Sequence, residues 1–357
     1  MTTALFESWR GQFNDNPREI YERLLDRLPG TDARWVGGDA LPQQIRGLRR
    51  HSPAHLWFLR RAGLFVTNDI LTQRIPGSPH GTYLQTWHGS PLKLLGFDER
   101  SLAYAGASEH LRRVERDVKS WDVLLSQSPA VTPYLRSAFG FDGPVWECGY
   151  PRNDVLRSPE APEIRSSTRA ALGLDDDDVV VLSAPTWRDY EMVDGHSTDT
   201  PPVIDYDDLV ARLPEGVVVL ARMHKNVQKH PDATGPGFRD VSAFPDINHL
   251  FLACDVLVSD YSSAIFDFAA TRKPIICYVP DLERYEETRG FYVDYQEWAP
   301  GPVVRTVEDL AQLLADAGLV GQAHGAKLEQ FIQTYCPLDD GNAGERVVER
   351  LIREGLV

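Results

Sequence analysis

The stretch Val256-Leu-Val-Ser-Asp-Tyr-Ser-Ser-Ala-Ile-Phe-Asp-Phe-Ala-Ala-Thr271 decides the reading of the fold. A buried β-branched strand runs into Ser262–Ser263 and then directly into a helix, the unit from which parallel α/β sheets are wound. The same alternation continues outward through the second half. Strands are predicted at Val179–Ala184, Val217–Ala221, Val256–Ser259 and Ile275–Val279, and helices at Asp207–Leu213, Asn248–Ala253, Ala264–Thr271 and Val307–Ala317. The first half repeats the pattern, with strands predicted near Ala4–Ser8, Ala33–Val36, Leu64–Asn68, Tyr83–Trp87, Val123–Ser126 and Val145–Cys148. Between the first two of these, Pro17 to Leu28 predicts a helix with Ile20, Leu24 and Leu28 on its core face and Asn16 as N-cap. The segment Tyr150–Pro162 holds three prolines and reads as a connector. The expected division is therefore 1–149, 150–335 and a helical tail at 336–357. The acidic run Asp175–Asp178 lies between a helix end and a buried strand and reads as a solvated turn.

Composition fits this picture. The chain has 357 residues, which at about 150 residues per domain suggests two domains, each long enough for its own core. Its 37 basic against 52 acidic side chains give a formal net charge of −15. Acid spread along the length, with no block of Lys and Arg, argues against a nucleic-acid partner. The four cysteines stand apart, without zinc-ligand spacing, which suits a reduced cytoplasm and predicts no metal centre. No apolar run reaches the roughly 20 residues that span a bilayer, and the first residues lack signal-peptide character. The expected setting is the cytoplasm, free or peripheral at the inner face of the membrane.

Three strand ends in the second half carry candidate ligand groups. Ser262 and Ser263 stand where a helix begins, so their hydroxyls and the unpaired N–H groups there suit a phosphate, although simple N-capping would use the same residues. Asp260 precedes them in the same motif, and Asp267, one turn further on, could reach a ribose hydroxyl or merely complement the helix dipole. Arg222, His224 and Lys225 follow the strand Val217–Ala221, and Thr186 and Arg188 follow Val179–Ala184, both at the edge where open α/β sheets bind ligands. In the first half, Gln85-Thr-Trp-His-Gly-Ser-Pro-Leu-Lys93 places His88 on a loop after a strand. A histidine with an ordinary pKa near 6.5 is suited to accept an alcohol proton, yet a structural histidine would look the same in sequence. There is no GxSxG elbow, no GxxxxGK[ST] loop and no strand-linked GxGxxG, so hydrolase, ATPase and nicotinamide-dehydrogenase readings lack their motifs.

Taken together, QTWHGSPLK (85–93), YPRND (150–154), APTWRD (184–189), RMHK (222–225), SDYSSAIFDFA (259–269), RGFYVDY (289–295) and DDG (339–341) resemble the CDP-glycerol glycerophosphotransferase family, with FESWRG (6–11) and DNPREIY (15–21) as its opening. The resemblance implies a GT-B architecture of two Rossmann-like domains facing a cleft, needing no cofactor and no metal. It also implies transfer of glycerol phosphate, or a related polyol phosphate such as ribitol phosphate, from a CDP-alcohol to an acceptor hydroxyl, with CMP released, in teichoic acid-like or capsular polymer synthesis. The acceptor would be a polyol phosphate or glycan, lipid-linked in many such systems. His88 falls at the family's base, with Trp87 and Lys93 on the acceptor side. By the same resemblance His224, also expected to be catalytic, would contact donor phosphates with Ser262 and Ser263, and Thr186, Arg188, Arg222, Lys225, Asp260 and Asp267 are expected to complete the donor side. Two positions depart from the pattern: Ser90 stands where threonine is common, and Leu94 where a second lysine often follows Lys93. The family's membrane-binding helical module has no counterpart in these residues. A GT-B nucleotide-sugar glycosyltransferase, a nucleotide-sugar epimerase and a non-catalytic CDP-alcohol-binding module are the competing readings.

Overall fold

The computed structural model describes residues 2–9, 11–38, 41–71, 81–100, 107–188, 202–223 and 231–357. It divides into two compact units: Met1–Ser90, Ser108–Asp154 and Pro337–Val357 form the first, and Pro91–Ala107 and Val155–Cys336 the second. Each is built on a parallel sheet.

In the first unit the strands are β1 (Thr3–Glu7), β2 (Asp32–Val36), β3 (Gly47–Leu48), β4 (Leu64–Thr67), β5 (Thr82–Gln85), β6 (Val123–Ser126) and β7 (Val145–Glu147), arranged β3-β2-β1-β4-β5-β6-β7. The second has β8 (Val179–Ser183), β9 (Val217–Ala221), β10 (Phe238–Asp240), β11 (Val256–Ser259), β12 (Ile275–Tyr278) and β13 (Val303–Val304), arranged β10-β9-β8-β11-β12-β13. Strands such as VLLS in β6 and VLVS in β11 are buried along their whole length, as expected for sheets covered by helices on both faces. Strand order reverses between β1 and β4, and again between β8 and β11. In open parallel sheets that reversal opens a crevice at the carboxyl edge, the place where such sheets bind ligands; here Glu7–Trp9 with Thr67–Asn68, and Ser183–Arg188 with Ser259–Ser263, lie at it.

The central strands lie within about two residues of their predicted ends, whereas β3, β10 and β13 were not anticipated. Two residues carry no periodicity to read, which accounts for β3 and β13; β10, like the predicted β7, has three. The first helix is Asp15–Arg27, two residues earlier than predicted, and its N-cap is Asn14, not Asn16. Asn16 is fully buried inside the helix, and its amide donates to the Trp87 carbonyl (3.3 Å) and accepts from the Arg152 N–H (3.1 Å). Partners from distant loops thus replaced the local cap. The Asp175–Asp178 run is a turn in which the Arg169 guanidinium donates to the carbonyls of Asp175 and Asp178.

Domain boundaries also differ. The first unit runs to Asp154, and the chain leaves it between Ser90 and Ser108. The expected tail belongs to the first unit from Pro337 on: helix Ala317–Tyr335 before it packs Phe331 beside Phe266 in the second unit, while helix Ala343–Arg353 returns to the first. There Val347, Val348 and Leu351 join Ile20 and Leu24 in one core. The Asp154 carboxylate receives the Ala343 and Gly344 N–H groups at that helix's start, satisfying donors that the helix cannot. Leu351→Ala should lower unfolding stability by about 2–5 kcal/mol, the usual cost of emptying a fully buried leucine site. Denaturant unfolding measures it, and an unchanged midpoint would mean that the helix contributes nothing to the first unit's core.

Candidate active site

His88 lies on the loop after β5, at the strand-order reversal of the first sheet. Its Nδ1 is 2.6 Å from the Asn68 carbonyl oxygen, at the end of β4. A carbonyl only accepts, so Nδ1 carries the proton and Nε2 presents a lone pair. The ring is held between two indoles, with Trp87 stacked at 4.0 Å between centroids and Trp9 tilted at 4.4 Å. Asn68 is fixed in turn: its side chain accepts from the Trp9 N–H (3.1 Å) and donates to Ser8 Oγ (3.0 Å). Gln85 Oε1 receives the Trp87 N–H (2.9 Å) and its Nε2 donates to the Asp69 carbonyl (3.2 Å), bracing both loops.

Among the described residues, five that are not glycine have φ in the left-handed region, and three of them, Trp9 (41°), Asp15 (61°) and Trp87 (51°), belong to this cluster. Such backbone costs energy and persists where its surroundings over-determine it. Here they do. Trp9 Nε1 donates to Asp15 Oδ2 (3.1 Å), and Arg152 forms an ion pair with Asp15 Oδ1 at 3.0 Å. Burial raises the Asp15 pKa, but Arg152 and the Asn16 N–H outweigh it, and the net shift is down, so this carboxylate stays charged. For His88, burial lowers the pKa; the Asn68 hydrogen bond and the charges of Asp69 and Asp15 raise it, Arg152 lowers it, and the net is below the ordinary 6.5.

Beneath this lies a chain of hydrogen bonds linking the sequence motifs. Ser90 Oγ donates to Gln127 Oε1, Gln127 Nε2 donates to Asp339 Oδ2 (2.5 Å), and Asp339 also receives the Tyr150 N–H (2.9 Å) and Asn153 Nδ2 (2.9 Å). QTWHGS, YPRND and DDG therefore converge in one unit. Gly149, at φ +78°, is required there, because a Cβ would lie 2.4 Å from the Leu338 carbonyl oxygen.

The second unit places Thr186, Arg188, Asp260, Ser262 and Ser263 together at its own strand-order reversal. Asp260 Oδ1 accepts the Thr186 N–H (2.8 Å) and its Oδ2 accepts Arg188 Nη1 (2.6 Å). Arg188 also grips Asp281 through Nε (2.8 Å) and Nη2 (2.9 Å), and lies over Tyr261 at 4.8 Å. Arg188 and Asp260, expected on the donor side, are thus buried and spent on one another and on Asp281, bracing the ends of β8 and β11. Their ordering of the Thr186–Arg188 and Asp260–Ser263 loops is what they offer a ligand. Ser262 Oγ accepts the Ala264 N–H (3.2 Å), while Ser263, the N-cap of helix Ala264–Ala269, makes no side-chain cap. Asp267 is buried in that helix's first turn. Thr186 Oγ1 is a buried hydroxyl with no hydrogen-bond partner among the described residues. Arg222 follows β9 and donates to the Phe244 carbonyl (2.6 Å); burial lowers its pKa, partly offset by Asp246.

Lys93 forms an isolated antiparallel bridge with Phe291, flanked by hydrogen bonds of Leu94 N–H to Gly290 and Tyr292 N–H to Leu92, so RGFYVDY holds the end of QTWHGSPLK. His224 and Lys225 lie outside the described residues. Among the described residues no group of three His, Cys, Asp or Glu side chains is placed to hold a metal, and no helix is long and apolar enough to cross a membrane. Trp9, Asp15, Asn68, Arg152 and Asp281 were not singled out from sequence, although three of these five, Trp9, Asp15 and Arg152, sit in quoted motifs.

Two Rossmann-like sheets, each with candidate ligand groups at its strand-order reversal, are the GT-B type of α/β architecture. The family model of CDP-Glycerol:Poly(glycerophosphate) glycerophosphotransferase matches residues 1–353. The chain is 34% identical over 361 residues to a teichoic acid poly(glycerol phosphate) polymerase of Bacillus spizizenii, covering 98% of this chain and 91% of that protein. To the protein of the same description in Bacillus subtilis it is 34% identical over 363 residues, covering 98% of this chain but 48% of the relative, so it spans about half that protein's length. A structure of the wall teichoic acid polymerase TagF soaked with CDPG superposes with TM-score 0.89 at 32% identity, covering 99% of this chain and 89% of that one. The chain belongs to the CDP-glycerol glycerophosphotransferase family.

The geometry around His88 makes a direct prediction. In ¹⁵N-detected NMR the imidazole should carry its proton on Nδ1 and titrate with a midpoint below 6.5, the ordinary histidine value. An Nε2-protonated tautomer, or a midpoint above 6.5, would contradict the arrangement.

Proposed function

We propose that this chain transfers glycerol phosphate from CDP-glycerol to the hydroxyl of a teichoic acid-like acceptor, releasing CMP. The observation that carries the reading is the His88 tautomer: with Nδ1–H committed to the Asn68 carbonyl, Nε2 is the acceptor that a general base needs. The acceptor oxygen attacks the phosphorus that bears glycerol, its proton passes to Nε2, and the bond from that phosphorus to the bridging oxygen breaks with the electron pair leaving on CMP. Phosphoryl transfer of this kind asks mainly for positioning and charge stabilisation. On the donor side we assign the diphosphate to Ser262, Ser263 and Thr186, with the cations of Arg222, His224 and Lys225. Arg188 and Asp260 order the loops that carry the first three, and Asp267 is assigned to the nucleotide. Trp87 and Lys93 are assigned to the acceptor side, and the acceptor is taken to be lipid-linked and met at a membrane surface. The donor TagF was soaked with, and the glycerol phosphate in its relatives' names, favour glycerol over other alcohols.

Paired variants test this. His88→Ala should lower kcat by about 10²–10⁴-fold with little change in CDP-glycerol affinity, the range for losing a positioned acid–base group. Ser263→Ala should instead weaken CDP-glycerol binding by about 1–3 kcal/mol in calorimetry, as a hydrogen bond to a charged group is lost. A kcat per folded molecule that falls less than about tenfold would make His88 structural. Release of a nucleoside diphosphate in place of CMP would transfer the reading to a glycosyltransferase, and turnover without an acceptor to an epimerase.

A further inference from the structure

The chain's acid excess is not uniform. From Ala40 to Asn68 there is no Asp or Glu, and the stretch carries Arg46, Arg49, Arg50, Arg60 and Arg61 with His51 and His55, in a chain of net charge −15. Arg46 pairs with Asp32 and Arg50 with Glu7. Arg49, Arg60 and Arg61 are exposed and meet no carboxylate among the described residues.

Within this stretch, helix Pro53–Arg61 turns His55 and Leu59 inward, where they are fully buried. Its outer side presents Leu56 and Trp57, 39% and 51% exposed, and one turn on, Arg60 and Arg61. Only Phe97 and Ile352 are comparably exposed large apolar side chains among the described residues, and neither has an apolar neighbour in sequence that is exposed with it. The Arg61 guanidinium lies 5.3 Å over the Trp57 ring. An indole and a leucine outermost, rimmed by unpaired arginines with long apolar stems, match the boundary between lipid headgroups and acyl chains.

We propose that helix Pro53–Arg61, with Arg49, is a docking surface for an anionic lipid bilayer. Charge complementarity selects the occupant: the patch is basic on an acidic protein, so an anionic surface is attracted here. A nucleic-acid site could stack a base on Trp57 but would have no use for an exposed Leu56 beside it. The helix spans only about 14 Å at 1.5 Å per residue, so it lies along the interface and inserts two side chains. The surface is independent of the transfer chemistry, and its test uses no turnover.

Co-sedimentation with phosphatidylglycerol-containing vesicles, and with phosphatidylcholine alone, decides the matter. The protein should bind the anionic vesicles, weakly or not at all the neutral ones, and less as salt is raised. Arg60→Gln/Arg61→Gln should weaken binding by at least about tenfold, each basic residue near an anionic surface being worth about fivefold. Leu56→Gln/Trp57→Gln should weaken it too and abolish the part that survives high salt. Both variants should keep the wild-type unfolding midpoint, since the altered side chains are exposed; where one does not, the other still decides. No sedimentation with anionic vesicles, or binding unaltered in both variants, overturns the proposal. So does an oligonucleotide that binds as tightly as the vesicles irrespective of Leu56 and Trp57.

Discussion

The ion pair between Asp15 and Arg152 holds the working edge of the first unit, because three separate pieces of chain meet at it. Asp15 opens the first helix, Arg152 belongs to the 3₁₀ turn after β7, and the Trp9 indole follows β1 and donates to the same carboxylate. Both side chains are about nine-tenths buried, at 10% exposure each. Two charges taken out of water lose hydration, and the pair is held because each partner satisfies the other; removing either would strand a buried charge at a cost of about 3–5 kcal/mol. The positive φ at Asp15 is sustained by the same contacts. What this arrangement yields is a fixed Trp9, and through Trp9 one wall of the His88 imidazole.

The second unit solves the same problem with a different residue. Burial works against the Arg188 charge, but Asp260 and Asp281 outweigh it and raise its pKa, so a permanent cation clamps the ends of β8 and β11. A clamp of one arginine and two carboxylates carries no surplus positive charge for a diphosphate. The donor side proposed above therefore draws on hydroxyls, backbone N–H groups and Arg222, not on Arg188. Arg222 differs from Arg188 in this respect: its guanidinium rests on the carbonyls of Val241 and Phe244, which order it without neutralising it.

Much of this was legible in the sequence. Runs such as VVVLS in β8, VVVLA in β9 and VLVS in β11 announce buried parallel strands, and Thr186, Arg222 and Ser262 follow their carboxyl ends. The same logic put His88 after β5. What was not legible depends on contacts between segments far apart in sequence. Asn16 looked like an N-cap because capping is local, whereas its actual partners are 71 and 136 residues away. Arg188 looked like a donor ligand because a cation at a strand end usually meets an anion; here the anions are the protein's own. The tail's return to the first core could not be read from its amphipathic pattern, since Val347, Val348 and Leu351 would suit either unit.

An imidazole between two indoles is shielded from water, which lowers its pKa and weakens it as a base. For a reaction limited by proton abstraction that would be a poor choice. Phosphoryl transfer differs, because its transition state is loose, with little bond formation to the attacking oxygen, so the acceptor proton becomes acidic late. A weaker base that is neutral over a wider pH range, has one tautomer and is already aligned then loses little in driving force and gains in availability. The leaving group imposes no opposing demand: CMP departs as a phosphate monoester whose second pKa is about 6, so it needs charge stabilisation more than a proton. A histidine with a lone pair on Nε2, the base proposed here, therefore meets what that chemistry asks on the acceptor side.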